Sequence, residues 1–181
     1  MRVLVISDTH DNLQAINAFC ERIGGEGVDN YDLLIHLGDI ISPFSLRAIQ
    51  GLGIKVIGVF GNNDGDRVLL KRFCPELSGH PMQTDIGGLK ALLMHGWGGR
   101  DVTESMVNAL AASGAFDVIL YGHTHIADAR VINDTLVLNP GALSGYLAER
   151  QTYAVLDIER GRAALVDLQS GRVIREVLIP K

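Results

Sequence analysis

Five short polar clusters hold most of the side chains in this sequence that could bind a metal ion or take part in catalysis. Each cluster directly follows an apolar run that predicts a buried strand, and together they contain four of the six histidines. Imidazole and carboxylate groups suit divalent first-row metals, and ligands of α/β proteins collect at the carboxyl ends of strands. The pattern therefore predicts a metal site for more than one ion. In chain order the clusters are Asp8-Thr9-His10, Gly38-Asp39, Gly61-Asn62-Asn63-Asp64, His95-Gly96 and Gly122-His123-Thr124-His125.

The spacing within the first and last clusters favours the binding of one ion by neighbouring side chains. Side chains of a strand alternate with period two, so Asp8 and His10 are expected on the same side of the chain. The same spacing separates His123 from His125. A glycine beside Asp39 permits a tight turn and a close approach of the backbone.

The segments between these clusters predict an α/β protein. Buried strands are expected at the apolar runs of residues 3–6, 33–37 and 55–60. Asn12 can cap a first helix, which Gly24-Gly25 is expected to end. A second helix is expected from Pro43 to about Leu52. Two β-α units with short connections predict parallel strands.

The second half of the chain is richer in predicted strands. Gly87-Gly88 is typical of a hairpin turn between strands at 82–86 and 89–94. Asp101 and Glu104 have the spacing of a capping box at the start of a helix. Further short strands are predicted at residues 117–121, 129–132, 135–138, 153–158, 163–167 and 173–178.

Composition and charge limit the classes of function. The chain has 181 residues, of which 47% are hydrophobic and 20% charged, and its net charge is −5. We expect one globular domain over residues 1–181. No basic run offsets the negative charge, which argues against non-specific binding to nucleic acid. The sequence contains no G-x-x-x-x-G-K-[ST] phosphate loop and no G-x-S-x-G elbow, so serine-hydrolase chemistry has little support.

The sequence also predicts a cytoplasmic protein with no membrane partner. The longest stretch without Asp, Glu, Lys or Arg covers residues 135–148 and is too short to span a bilayer. The first eight residues lack the pattern of a signal peptide. Cys20 and Cys74 form no C-x-x-C pair, and we interpret them as reduced thiols, with a disulfide between them as the alternative.

The ordered set D-x-H, G-D, G-N-x-D, H-G and G-H-x-H resembles the motifs of the calcineurin-like metallophosphoesterases. The short chain and its Gly61-Asn62-Asn63-Asp64 motif are similar to the small prokaryotic branch of that superfamily. The motifs extend from Asp8 to His125, and Asn139-Pro140-Gly141 is also similar to that branch. The resemblance implies an α/β fold that is a four-layer αββα sandwich, with two mixed β-sheets flanked by helices.

The resemblance also implies how the candidate ligands divide between two divalent ions. One ion would be bound by Asp8, His10, Asp39 and His125. The other would be bound by Asp39, Asn62, His95 and His123. Asp39 would bridge the two, as a carboxylate with two oxygens can. Mn²⁺ is the expected metal, and Fe, Ni, Zn or Co are alternatives that the sequence does not separate.

The expected activity is the hydrolysis of phosphate esters, with phosphodiesters favoured over monoesters. A hydroxide that bridges the metals would attack phosphorus in line with the leaving oxygen. We expect the reaction to centre on Asp39, Asn62, Asn63 and His95. Many relatives carry His at the position of Asn63, where it can protonate the leaving group. Asn cannot act as an acid near neutral pH, so we predict a preference for aryl or otherwise activated esters.

Two further residues are candidates for contact with the substrate. Arg67 follows the third motif and could bind a phosphate, although a solvated position on a helix is the alternative. Asn12 could assist the site from its helix start, although capping also explains it. His36 is interpreted as a packing or supporting residue within a strand. His80 is interpreted as a loop residue, and Trp97 either lines the site or packs.

An alternative function is a protein-interaction scaffold on the same fold, with vestigial or structural metal binding. A retromer subunit resembles the same family and serves as an interaction protein, so fold alone does not decide. All seven ligand positions hold competent residues here, which favours the enzyme. The expected partner is a small phosphodiester or phosphate ester. Nucleic acid is expected only as a substrate end, and a homodimer is compatible with this branch.

Overall fold

The computed structural model describes residues 1–180 and contains two β-sheets that pack face to face, with helices on the outer side of each. The helices are α1 (Leu13–Glu26), α2 (Pro43–Gln50), α3 (Arg67–Phe73) and α4 (Arg100–Ala112), and a short 3₁₀ helix covers Val28–Asn30. The strands are β1 (Arg2–Ile6), β2 (Leu33–His36), β3 (Val56–Val59), β4 (Leu77–Ser78), β5 (Met82–Ile86), β6 (Leu89–Met94), β7 (Val118–Tyr121), β8 (Asp128–Ile132), β9 (Thr135–Asn139), β10 (Thr152–Asp157), β11 (Arg162–Asp167) and β12 (Val173–Leu178).

Both sheets mix parallel and antiparallel neighbours. The first sheet has the strand order β12-β11-β10-β1-β2-β3-β4, and the second has the order β5-β6-β7-β9-β8. Strands β1 to β4 are parallel to one another, and so are β6, β7 and β9. Parallel strands end at the same edge of a sheet, so the loops after β1, β2 and β3 are neighbours, as are the loops after β6 and β7.

Alternating side chains of the central strands divide the core into layers. Leu4 and Ile6 of β1 pack towards α1 and α2, whereas Val3 and Val5 pack against the second sheet. A third cluster joins the outer face of the second sheet to α4. The layer order is therefore helices α1 to α3, first sheet, second sheet and α4. This order confirms the predicted four-layer αββα sandwich.

Most predicted strands agree with the structure to within one residue at each end, and the hairpin of β5 and β6 turns at Gly87-Gly88 as expected. The predicted end of α1 is wrong. The helix continues through Gly24-Gly25 and ends at Gly27, whose φ is +92°. Gly24, Gly25 and Glu26 are exposed, and Gly27 N donates to Gly24 O at 3.2 Å, so the helix closes about one turn beyond Ile23, its last buried residue.

Two other helix boundaries also differ from prediction. α2 ends at Gln50, short of the expected Leu52. α4 begins at Arg100, so Asp101 lies inside its first turn rather than at the cap, and the predicted capping box does not form. Glu104 instead accepts a hydrogen bond from Arg100 Nε at 2.7 Å. The hydroxyl of Thr103 connects the start of α4 to the preceding loop through hydrogen bonds with the backbone N and O of Trp97.

Two further features of the described residues concern membrane-spanning helices and the cysteines. Among residues 1–180, no helix is both long and apolar enough to cross a membrane. Cys20 is partly buried and Cys74 is buried, and both are free thiols. The alternative of a disulfide between them is therefore wrong for this structure.

The layer between the two sheets should carry much of the stability of the fold. Val118 of β7 is fully buried in this layer. We predict that Val118→Ala lowers the free energy of unfolding by about 2–3 kcal/mol, because two buried methyl groups are lost and a cavity remains. The same substitution at Val131 of β8, which is 44% exposed, should cost no more than about 1 kcal/mol. Urea unfolding of both variants tests this, and equal losses would contradict the assigned layer.

Candidate metal centre

The five polar clusters meet where the carboxyl ends of β1, β2, β3, β6 and β7 come together. Backbone hydrogen bonds join the loops directly: Asp8 N donates to Gly38 O at 3.0 Å, and His10 N donates to Asp39 O at 3.0 Å. Gly61 is required by this close approach, because a Cβ atom there would lie 2.2 Å from Asp39 Oδ1. The fold therefore assembles the site from loops that are far apart in sequence.

Five of the candidate ligands have left-handed backbone conformations. Their φ angles lie between +43° and +69°, which is uncommon for residues other than glycine. Such strain persists where the surrounding contacts hold it, often at functional sites. β1 ends at Ile6 and β7 ends at Tyr121, so left-handed turns, rather than the alternation of a strand, bring the D-x-H and H-x-H pairs together. The five residues are Asp8, His10, Asp39, His123 and His125.

Asp8, His10, Asp39 and His125 form one compact group, in which ligand atoms lie within 4.8 Å of one another. His125 Nε2 is 3.2 Å from Asp8 Oδ1 and 3.3 Å from His10 Nε2. Asp8 Oδ1 is buried and has no hydrogen-bond partner. An unpaired buried carboxylate oxygen is costly, and two imidazole nitrogens that face it complete a donor set for a divalent cation. These residues fit a metal ion.

The partners of two histidines determine which ring nitrogen is free for a metal. His125 Nδ1 lies 2.7 Å from Tyr146 O, and His95 Nδ1 lies 2.7 Å from Leu37 O. A carbonyl oxygen only accepts, so each Nδ1 donates its proton. The lone pair of each Nε2 then points into the site, an arrangement that is usual for metal-binding histidines.

The remaining predicted ligands surround the other side of Asp39. His95 Nε2 lies 3.5 Å from Asp39 Oδ2 and 3.0 Å from Asn62 Oδ1. His123 differs from the other histidines, because its Nε2 donates to Gly98 O at 2.6 Å and leaves Nδ1 for a ligand. The rings of His95 and His123 are 5.0 Å apart between centroids. Asp39 Oδ2 is also 3.6 Å from His10 Nε2, so this carboxylate lies between the two groups of histidines.

The electrostatics of the site favour the ionised form of the Asp39 carboxyl. Burial opposes the ionisation of Asp39, but the neighbouring His95 and the hydrogen bonds from Asn63 outweigh it and hold the pKa of the carboxyl below its usual range. Burial alone would lower the pKa of His95, yet the neighbouring Asp39 raises it. The neighbouring Asp8 carboxylate likewise raises the pKa of His125, whereas burial lowers the pKa of His10. The negative charge of the site therefore attracts cations.

The residues predicted to act beside the ligands have defined contacts in the structure. Asn63 donates to both oxygens of Asp39, from its backbone N at 2.8 Å and from Nδ2 at 2.8 Å. Arg67 donates to the carbonyls of Gly61 and Asp64. The contacts of Arg67 thus support the loop that carries the third motif.

Asn12 also has both polar groups of its side chain engaged. Its Oδ1 accepts from Ala15 N at the start of α1, and its Nδ2 donates to Ser144 O at 2.9 Å. Asn12 therefore caps α1, which is the alternative role that the sequence analysis gives it. The same residue also ties α1 to the loop that follows β9.

Asp64 has a larger role than its place in the third motif suggested. Its buried carboxylate accepts hydrogen bonds from the backbone N–H groups of Asp39, Ile41 and Gly61, at 3.1, 2.7 and 2.7 Å. The cap of α3 is Asp66, which accepts from Leu69 N. Asp64 therefore joins the second and third loops of the site. Burial raises the pKa of Asp64 despite these bonds.

Two other buried polar side chains hold ligand loops in place. His36 Nδ1 accepts from Gly38 N at 3.2 Å, so its Nε2 donates to Thr9 Oγ1 at 3.1 Å. Thr9 Oγ1 in turn donates to Asp39 O. Burial lowers the pKa of His36 to about 3, which keeps this link neutral. Asn139 donates to Gly122 O and Thr124 Oγ1 and so fixes the last ligand loop.

The sequence analysis allowed Trp97 to line the site, but it did not place His80 or Tyr146 beside the ligands. His80 does lie in a loop, but its ring is 4.6 Å from Trp97 and 6.2 Å from His95 between centroids. Tyr146 contacts His10 and His125 through its ring. No motif marks these positions, and only the fold brings His80 and Tyr146 to the ligands.

The comparisons with known proteins agree with this geometry. A model of the calcineurin-like phosphoesterase superfamily domain matches residues 1–161 of the chain. The chain belongs to this superfamily. A phosphodiesterase of Methanocaldococcus jannaschii is 34% identical to this phosphoesterase over 165 residues, which are 88% of this chain and 95% of the relative. Membership identifies a hydrolase of phosphoric esters that uses divalent metal ions, and the cluster around Asp8 is its candidate metal site.

Solved structures extend the comparison. The structure of a novel archaeal phosphodiesterase superimposes with a TM-score of 0.76 at 32% identity, and the match covers 98% of this phosphoesterase and 99% of that chain. Vacuolar protein sorting 29 from Cryptosporidium parvum superimposes with a TM-score of 0.69 at 21% identity, over 99% of this chain and 98% of the other. The second likeness shows a common fold.

Asp64 offers a test of how the loops support metal binding. Asp64→Asn replaces an acceptor oxygen by a donor and leaves at least one of three buried N–H groups unpaired, which costs about 1–3 kcal/mol of stability. We predict that Mn²⁺ affinity, measured by calorimetry, also falls by at least about tenfold.

The matched control is Asp66→Asn, because Asn caps a helix as well as Asp does. This control should keep both stability and metal affinity close to those of the unmodified protein. Unchanged Mn²⁺ affinity in a folded Asp64→Asn variant would contradict the role assigned to Asp64.

Proposed function

We propose that residues 1–181 act as one domain that hydrolyses small phosphodiesters with two divalent ions, in the cytoplasm. The single observation that carries the proposal is the position of Asp39. Its carboxylate lies within 3.6 Å of His10 Nε2 and 3.5 Å of His95 Nε2, which belong to different candidate ligand groups. A carboxylate between two sets of ligands is the expected bridge of a two-metal hydrolase.

The two ions would be held by side chains from all five loops. Asp8, His10, Asp39 and His125 would bind one ion, and Asp39, Asn62, His95 and His123 would bind the other. When bound, such ions lower the pKa of a water molecule and offset negative charge on the phosphate. We propose Mn²⁺ as the metal, with Fe, Ni, Zn and Co as alternatives, because imidazole, carboxylate and amide oxygen suit this group of ions.

The protein itself would orient the reacting groups. Asn63 holds Asp39 through two hydrogen bonds, and Leu37 O and Tyr146 O hold the rings of His95 and His125. Arg67 and Asn12 are proposed as substrate contacts that act beside their structural hydrogen bonds. Because Asn63 cannot donate a proton as an acid does, the leaving group must depart largely unassisted.

A protein-interaction scaffold is the second candidate function. The fold likeness to vacuolar protein sorting 29, at 21% identity, is the observation that favours it. The unpaired Asp8 Oδ1 and the inward-facing histidines favour the enzyme, since a scaffold has no need of them. A homodimer is also part of the proposal, and sedimentation equilibrium measures it. Nucleic acid is proposed only as a substrate end.

Hydrolysis of bis(p-nitrophenyl) phosphate by metal-stripped protein, with and without added Mn²⁺, tests the proposed activity. We expect turnover only with Mn²⁺. Asp39→Asn removes the negative charge shared by both ligand groups and should lower kcat by at least about a hundredfold. Binding of Mn²⁺ measured by calorimetry should fall from two ions per chain to fewer in this variant.

The matched control is Asp134→Asn, in the exposed turn between β8 and β9, where φ is +62° and Asn is well tolerated. It should keep full activity. No Mn²⁺-dependent turnover by the unmodified protein would refute the phosphodiesterase proposal. Failure to bind two ions as well would favour the scaffold.

Because Asn63 stands at the position considered for a general acid, we predict that the rate of hydrolysis depends strongly on the leaving group. Without a general acid, which is typically worth about 10²–10⁴-fold, we expect aryl phosphodiesters to react far faster than alkyl phosphodiesters. Asn63→His should raise the rate on alkyl esters relative to aryl esters, because it supplies a titratable group at that position. Rates on matched methyl and p-nitrophenyl leaving groups measure this, and equal rates with chemistry limiting would contradict it.

A further inference from the structure

Tyr146 places an exposed aromatic ring directly beside the metal centre. Its ring centroid lies 5.4 Å from that of His10 and 5.8 Å from that of His125, with edge geometry in both cases. The residue is nevertheless 58% exposed. A ring that contacts two ligand histidines and still faces solvent is accessible to a molecule bound at those ligands.

The loop that carries Tyr146 is held by hydrogen bonds on both sides of the site. Ser144 N donates to Asp8 O at 3.2 Å, and Ser144 O accepts from Asn12 Nδ2 at 2.9 Å. Tyr146 N then donates to Ser144 Oγ at 3.2 Å. Because this loop is already ordered, stacking on the ring loses little conformational entropy.

The backbone and the side chain of Tyr146 have separate tasks. Its carbonyl oxygen accepts from His125 Nδ1 at 2.7 Å and so orients a ligand. That contact is independent of the side chain. The neighbouring Leu147 is 77% exposed with a left-handed φ of +52°, so the same loop holds a second apolar side chain outwards. A substitution of the Tyr146 side chain therefore tests the ring without removing the orienting carbonyl.

We propose that Tyr146 is a specificity-determining residue whose ring stacks on a planar aromatic arm of the substrate. The substrate class is then a phosphodiester with at least one aryl or nucleobase-bearing arm, which lies on the side of His10 and His125. This inference rests on the proposed function, because it places the phosphate at the candidate metal centre. The ring supplies affinity for the arm and takes no part in bond making.

The test compares the binding of phenylphosphonate and methylphosphonate to the Mn²⁺-loaded protein by calorimetry. Neither probe is hydrolysed, and they differ only in the planar arm. We expect phenylphosphonate to bind about tenfold more tightly, in line with the usual strength of aromatic stacking. Tyr146→Phe should keep this ratio within about twofold, whereas Tyr146→Leu should reduce it to about two or less.

Phe44→Leu is the matched control, because Phe44 is an aromatic residue of α2 that is 75% exposed and is not among the candidate ligands. It should leave the ratio unchanged. Mn²⁺ affinity should be the same in all variants. Equal binding of both probes by the unmodified protein, an unchanged ratio in Tyr146→Leu, or a fall in Mn²⁺ affinity that parallels the loss would each overturn the inference.

Kinetics separate this inference from the proposed function. For bis(p-nitrophenyl) phosphate, Tyr146→Leu should raise KM by about tenfold and change kcat by less than about threefold, because uniform binding is lost. A protein that shows the Tyr146-dependent binding ratio but no turnover would support the inference and refute the hydrolytic function. A protein that turns over with an unchanged KM in Tyr146→Leu would refute the inference alone.

Discussion

The negative charge of Asp8 and Asp39 is the constraint that the rest of the site satisfies. Both side chains are almost fully buried, and a buried carboxylate without a partner is costly. Asn63 donates two hydrogen bonds to Asp39, but Asp8 Oδ1 has no donor. A divalent ion held by Asp8 together with His10 and His125, as proposed, would supply the missing positive charge. Metal binding would then contribute to the stability of these loops as well as to the chemistry.

The loops can hold such charges because buried polar side chains fix their backbones. Asp64 joins the second and third loops through three N–H donors, and His36 connects the first and second through Thr9. Asn139 holds the last ligand loop. These contacts maintain left-handed conformations that would otherwise be unfavourable. Residues outside the candidate ligand set thus fix the positions of the candidate ligands.

Proteins with different functions can share one fold. The side chains at the loop ends, rather than the αββα fold itself, therefore decide the function. In this chain all seven residues proposed as ligands have side chains that can bind a metal, and Asn63 cannot act as an acid near neutral pH. Aromatic rings also lie around the candidate ligands. Tyr146 lies beside His10, and the rings of His80 and Trp97 lie against each other. The proposed substrate preferences, for activated leaving groups and for planar arms, rest on these residues.

Apolar runs and turn residues were sufficient to predict nearly every strand, because a strand buried on both faces needs a continuous hydrophobic segment. The residue types in the five clusters were sufficient to predict a compact group of candidate metal ligands. Other features depend on contacts between distant segments. Examples are the end of α1 at Gly27, the ring nitrogen of His123 that is left free, and the position of Tyr146 beside the ligand histidines. Each depends on how the loops pack against one another, and a local sequence pattern does not determine that packing.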